Sequence, residues 1–113
     1  MFKKTARLRK KKDIEAVFKS KISKYNKFFG LKAKENNLNY SRFTVVVGTK
    51  VSKKAVVRNR IKRRVRSVLK EEYKSLERNV DLLILALNQA ENIDMKETRN
   101  SVKNLLKTAK LLK

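Results

Sequence analysis

Residues 55 to 66 read AVVRNRIKRRVR, with six Lys and Arg interleaved with aliphatic side chains. A guanidinium grips phosphate through two parallel N–H donors or stacks on a base, whereas an ammonium is a mobile point charge. Five Arg to one Lys in this stretch therefore favours docking on a defined polyanionic surface. The cations extend well beyond it. Between Glu35 and Glu71 there is no acidic residue, while Arg42, Lys50, Lys53, Lys54, Arg58, Arg60, Lys62, Arg63, Arg64, Arg66 and Lys70 all lie there. A face built only for solubility mixes both signs and gains i,i+4 pairs. Asn59, a poor helix former among these cations, adds both a donor and an acceptor.

The means to break bonds are sparse. The chain has no His and no Cys, which removes the commonest general base, the commonest metal ligand and every thiolate site. Glu71, Glu72, Glu77 and Asp81 are the carboxylates near one another beside the basic segment, and successive helical residues diverge by about 100°. No catalytic set and no protein metal site is expected. With 32 Lys and Arg against 10 Asp and Glu, the net charge of +22 disfavours the compact state by self-repulsion and calls for a polyanion, nucleic acid before membrane surface.

Several elements must position these residues. On a helical wheel Val57, Ile61, Val65, Val68, Leu69, Tyr73 and Leu76 share one side, so a helix from about 52 or 55 to 76 docks on a core while Asn59, Arg63, Arg66 and Lys70 face away. Ile14, Val17, Phe18 and Ile22, with Asp13 and Glu15 in the first turn, predict a helix over about 13 to 22. FFGLKA and YSRFTVVVG, separated by KENNLN, predict a β-hairpin with an added segment reaching Val51. VDLLILAL reads as a central strand buried on both faces, and Asp94 with Glu97 opens a C-terminal helix. Phe18, Phe28, Phe29, Tyr40 and Phe43 are aromatics available to a core or to stacking, and alternation puts Phe28 and Phe29 on opposite faces.

The implied fold class is α+β, a small two-layer sandwich of order α-β-β-(β)-α-β-α with helices on a mostly antiparallel sheet. One domain over 1 to 113 is expected, with a basic, flexible arm at 1 to 12, since no Pro and only two Gly mark a boundary. No apolar run is long enough to span a bilayer, so a cytoplasmic protein is expected.

SKKAVVRNRIKRRVR (52 to 66) closely resembles the signature of the protein subunit of bacterial ribonuclease P, matching at Ala55, Arg58, Asn59, Arg60, Ile61, Lys62, Arg63, Val65 and Arg66. RLRKKKDIEAVF, VVVGTKVSKK and VDLLILAL follow in the order of that family, so the similarity spans nearly the whole chain. The resemblance implies a ribonucleoprotein endonuclease that removes the 5′ leader of precursor tRNA, with catalysis and its Mg²⁺ in the RNA subunit. It implies two partners, the catalytic RNA subunit and precursor tRNA, and no obligate protein partner. Carried over by position, Lys53, Lys54, Arg58, Asn59, Arg60, Lys62, Arg63, Arg64 and Arg66 become RNA-binding residues, and Ile14, Phe18 and Phe29 the leader cleft. The resemblance also implies a left-handed βαβ crossover, against the usual rule. Gly30 and Lys32 stand where related proteins often place larger or aromatic cleft residues. Two other classes compete: a general or ribosomal RNA-binding protein, and an enzyme using Glu71, Glu72 and Asp81.

Overall fold

The run VDLLILA has no polar alternation, so it is stable only with both faces covered and both edges paired. The computed structural model, which describes residues 7 to 112, places it there. Along the chain run α1 (Lys11–Phe18), β1 (Ile22–Tyr25), β2 (Phe29–Glu35), β3 (Arg42–Val46), α2 (Ala55–Glu72), β4 (Val80–Ala86) and α3 (Met95–Thr108). The sheet order is β1-β2-β4-β3; β1 with β2 and β2 with β4 are antiparallel, and β3 with β4 is parallel. The α+β sandwich and its mostly antiparallel sheet are as the sequence indicates. The link from β3 through α2 to β4 is the βαβ crossover.

One face of the sheet carries Leu31, Phe43, Val45, Leu82 and Ile84 against Ile61, Val65, Val68 and Leu69 of α2 and Val102, Leu105 and Leu106 of α3. Each such side chain contributes about 1.5–3 kcal/mol on burial, so this layer supplies most of the hydrophobic stabilisation. The other face is covered only in part: Leu83 meets Val17 of α1 and Leu8, with Ile14, Val46 and Leu85 at the margin. Here α1 adds a partial third layer to the sandwich.

Several boundaries differ from the sequence reading. The first helix ends at Phe18 rather than 22, because the Ser20 hydroxyl donates to the Val17 carbonyl at 2.6 Å and the chain then extends into β1. Ile22, whose i+4 spacing imitated a helix, pairs with Ala33 in the sheet. The predicted hairpin of β2 with β3 does not form, because β4 lies between them and satisfies the edges of both. The hairpin of this fold is β1 with β2. Its turn is closed by Asn26, whose Oδ1 accepts from the amides of Phe28 at 3.0 Å and Phe29 at 2.9 Å. The segment at 49 to 51 is a turn, and α2 stops at Glu72 with a 3₁₀ turn at Tyr73–Ser75. The Asp94 side chain does cap α3, accepting from the Glu97 amide at 2.8 Å.

Of the predicted flexible arm, residues 1 to 6 lie outside the described residues. Residues 7 to 12 are not loose: the Leu8 amide donates to the Phe43 carbonyl at 2.8 Å, Leu8 is buried, and Lys11 and Lys12 begin α1.

Candidate nucleic-acid interface

The 3.6-residue period sorts α2 into two functions. Ile61, Val65, Val68 and Leu69 are buried, and Val57 packs at their margin. Lys53, Lys54, Asn59, Arg63, Arg66 and Lys70 are exposed, and Arg58, Arg60, Lys62 and Arg64 are half-buried at the flanks. Two flanking cations are partly committed within the fold: Arg58 donates to the Ser52 carbonyl at 3.0 Å, and Arg64 donates to the Ile93 carbonyl at 2.8 Å. Arg60 differs, since its Nε is buried with no acceptor among the described residues. Among the described residues Arg63 and Arg66 have no ion pair.

The start of α2 strengthens this field. Its first turn has no acidic residue and Lys54 caps it with no side-chain acceptor, so the positive end of the helix dipole adds to Lys53 and Lys54. Val56, beside them, is 74% exposed: at 100° per residue it falls outside the buried arc, which Val57 occupies instead. All the acid of α2 sits at its far end, where Glu71 meets Arg99 at 3.1 Å and Glu72 meets Lys103 at 3.0 Å. The hydrogen bond from Arg99 holds the Glu71 carboxyl below its ordinary range and raises the Arg99 guanidinium.

The opposite side of the sheet carries the second surface. Ile14 is half-buried on the Leu83 cluster and Phe18 is 40% exposed at the end of α1. Phe29 is not a cleft residue: it is fully buried in the α2 and α3 core, because alternation from that position sends Gly30 and Lys32 to the α1 side instead. Tyr25, 54% exposed on β1, lies on the α1 side and was not singled out in the sequence, since β1 was hidden under the helix predicted to reach 22. The short alternation ISKY followed by Asn-Lys was the available signal. An open groove lined by Lys27, Val46, Thr49, Lys50, Leu85 and Gln89 leads from this face toward the loop before α2.

α1 is pinned over the sheet by charge. Arg42 on β3 donates from Nε to Asp81 Oδ1 at 2.8 Å and from Nη2 to Asp81 Oδ2 at 2.6 Å, and its Nη1 reaches Asp13 of α1 at 3.3 Å. The Asp81 hydrogen bond raises the Arg42 guanidinium, which burial alone would lower. The three carboxylates that could have served an enzyme, Glu71, Glu72 and Asp81, are thus each held by a cation. Among the described residues no three acidic side chains gather in a manner that would hold a metal ion.

Both the sequence and the fold that carry these surfaces are similar to those of known proteins. The family model described as Ribonuclease P matches residues 2 to 110. The ribonuclease P protein component of Streptococcus gordonii is 40% identical over 112 residues, covering 96% of this chain and 90% of that one. That of Streptococcus pneumoniae is 36% identical, covering 96% and 88%. Among solved structures, the RNase P protein of Staphylococcus aureus superposes with a TM-score of 0.88 at 27% identity, covering 96% of this chain and 98% of that chain. The RNase P protein of Thermotoga maritima gives 0.81 at 29% identity, covering 90% and 96%. The chain belongs to the ribonuclease P protein family, whose work is the processing of tRNA.

Proposed function

We propose that this chain docks on the catalytic RNA subunit of ribonuclease P through α2 and the loop before it, and turns the α1 side of its sheet toward the 5′ leader of precursor tRNA. It thereby assists endonucleolytic removal of the leader to give the mature 5′ end. The observation that carries this reading is the division of charge in α2: cations without an ion pair among the described residues fill its first three turns, and the two carboxylates at its far end are paired. Such a surface neutralises phosphates and orients RNA.

Hydrolysis belongs to the RNA subunit in this reading. The Mg²⁺ of the holoenzyme is likewise assigned to the RNA in this reading, which the pairing of Glu71, Glu72 and Asp81 with cations supports. What the protein contributes is binding and register: Lys53, Lys54, Asn59, Arg60, Lys62, Arg63 and Arg66 offer donors to the RNA backbone, while Arg58 and Arg64 split theirs between RNA and the fold. No described helix is long and apolar enough to cross a membrane, and the ribonucleoprotein is placed in the cytoplasm, with no protein partner invoked.

Purified protein should raise cleavage of precursor tRNA by the RNA subunit at low Mg²⁺ and cleave nothing alone. The Glu71→Gln, Glu72→Gln variant should keep that stimulation within about twofold, since the Glu71 pair is exposed and contributes about 0–1 kcal/mol, and Gln keeps the shape and a hydrogen-bonding oxygen at the half-buried Glu72. Cleavage by the protein without RNA, or loss of stimulation in this variant while it remains folded, overturns the division of labour.

A further inference from the structure

The α1 side of the sheet contains one row that α1 leaves open. By register Tyr25 faces Gly30, Gly30 faces Leu85, and Leu85 faces Val46, so these four residues form a line across all four strands. α1 covers the neighbouring row at Leu83, which is fully buried, whereas Tyr25 is 54% exposed and Leu85 and Val46 are half-buried. The Tyr25 ring lies across Gly30: a Cβ at position 30 would fall 2.7 Å from Tyr25 Cδ2 and closer still to Cε2. Gly30 has an ordinary negative φ, so what this position requires is space for the ring and not a left-handed backbone.

Covering a cross-strand glycine with an aromatic ring also stabilises a sheet. The surroundings go further than that role needs. Lys32 is on the same face, with Nζ 6.0 Å from the Tyr25 ring centroid and 3.5 Å from Ser23 Oγ. From Ala16 to Lys34 the chain has no acidic residue, and Lys21, Lys24, Lys27, Lys32 and Lys34 surround the hairpin. An aromatic platform beside an ammonium, in a stretch without acid, where the Asp81 and Asp13 carboxylates of the same side are both held by Arg42, suits one base and its adjoining phosphate in single-stranded nucleic acid.

We propose that Tyr25, laid across Gly30, is a base-stacking platform for one leader nucleotide, with Lys32 contacting the phosphate beside it. This rests on the reading that the α1 side of the sheet faces the leader. Alternation along β2 and the edge position of β1 place the platform one strand away from where the sequence would look for a cleft aromatic.

The test uses reconstituted holoenzyme, precursor tRNA with a leader, and tRNA without one. Stacking contributes about 1–3 kcal/mol per base, or roughly 5-fold to 150-fold in affinity. Tyr25→Leu keeps apolar cover over Gly30 and should bind leader-bearing tRNA about 10-fold more weakly, a loss within that stacking range. Leaderless tRNA and the RNA subunit should be bound as by the parent. Tyr25→Phe should restore leader affinity, Gly30→Val, which displaces the ring, should reproduce the loss, and thermal melts should show each variant folded. Single abasic sites along the leader should include one at which parent and Tyr25→Leu bind equally. If Tyr25→Leu matches the parent on every leader while the parent still favours leader-bearing tRNA, the platform is refuted and the broader reading stands. Equal losses on both tRNAs reduce Tyr25 to a structural residue. If the parent gains nothing from a leader, the reading of this face fails first and the platform with it.

Discussion

Replacing Arg60, Arg63 and Arg66 together by Ala is expected to lower affinity for the RNA subunit by on the order of 100-fold at about 0.15 M salt, with little change at about 1 M. Each phosphate contact contributes about 0.9 to the slope of log affinity against log salt on duplex nucleic acid, so three lost contacts flatten that slope by about 2.7. These three are chosen because the fold uses them least. Arg63 and Arg66 are exposed, Arg60 leaves a buried Nε without an acceptor, and Ala is the stronger helix former at all three positions. The variant should therefore melt no lower than the parent. Arg58 and Arg64 would answer less cleanly, because their replacement also frees the carbonyls of Ser52 and Ile93. Titrations over a salt series decide the matter, and an unchanged slope would remove α2 from the interface.

The largest effect on stability is expected from Arg42→Met. Asp81 is buried, 6% exposed, and takes two hydrogen bonds from Arg42 and one from Asn36 Nδ2 at 3.0 Å. Removing the guanidinium leaves that carboxylate buried without its cation, which costs about 3–5 kcal/mol, a large share of the roughly 5–15 kcal/mol of a domain this size. Arg42→Met with Asp81→Leu should recover most of the loss, since an apolar pair can replace a buried ion pair at little cost. Urea unfolding of the single and double variants measures both. A full loss that persists in the double variant would show that packing of Arg42, not its charge on Asp81, holds the site. Because Arg42 also reaches Asp13, the single variant should loosen α1 over the sheet and weaken leader binding in addition.

Much of this was legible in the sequence where one physical rule acted alone. Period 3.6 located α2 and its two faces, an unbroken apolar run identified β4 as central, and capping-box spacing opened α3 at Asp94. The reading failed where two rules overlapped. Ile22 lies at helical spacing from Phe18 yet belongs to a four-residue strand, so β1 and its Tyr25 were missed. The β2 to β3 loop carries Asn36, Asn37 and Asn39, as a hairpin turn would, but strand order depends on contacts distant in sequence, and β4 entered between them. Phe29 illustrates the site-level consequence: alternation predicts that Phe28 and Phe29 part ways, but Phe28 precedes β2 and packs at the margin of the same α2 and α3 core that buries Phe29. The cationic surface needed no such information, because a stretch of 35 residues without acid, from 36 to 70, is visible before any folding is considered.

The central claim is that two sides of one sheet serve two RNAs. The absence of Cys makes it directly measurable, since one introduced thiol is then unique. A photo-crosslinker should be carried on Ser67→Cys, exposed on α2, and separately on Lys34→Cys, exposed on the α1 side of β2. In the assembled holoenzyme with precursor tRNA, the first should attach to the catalytic RNA subunit and the second to leader nucleotides upstream of the cleavage site. Attachment of both to the same RNA, or the reverse assignment, would contradict the account.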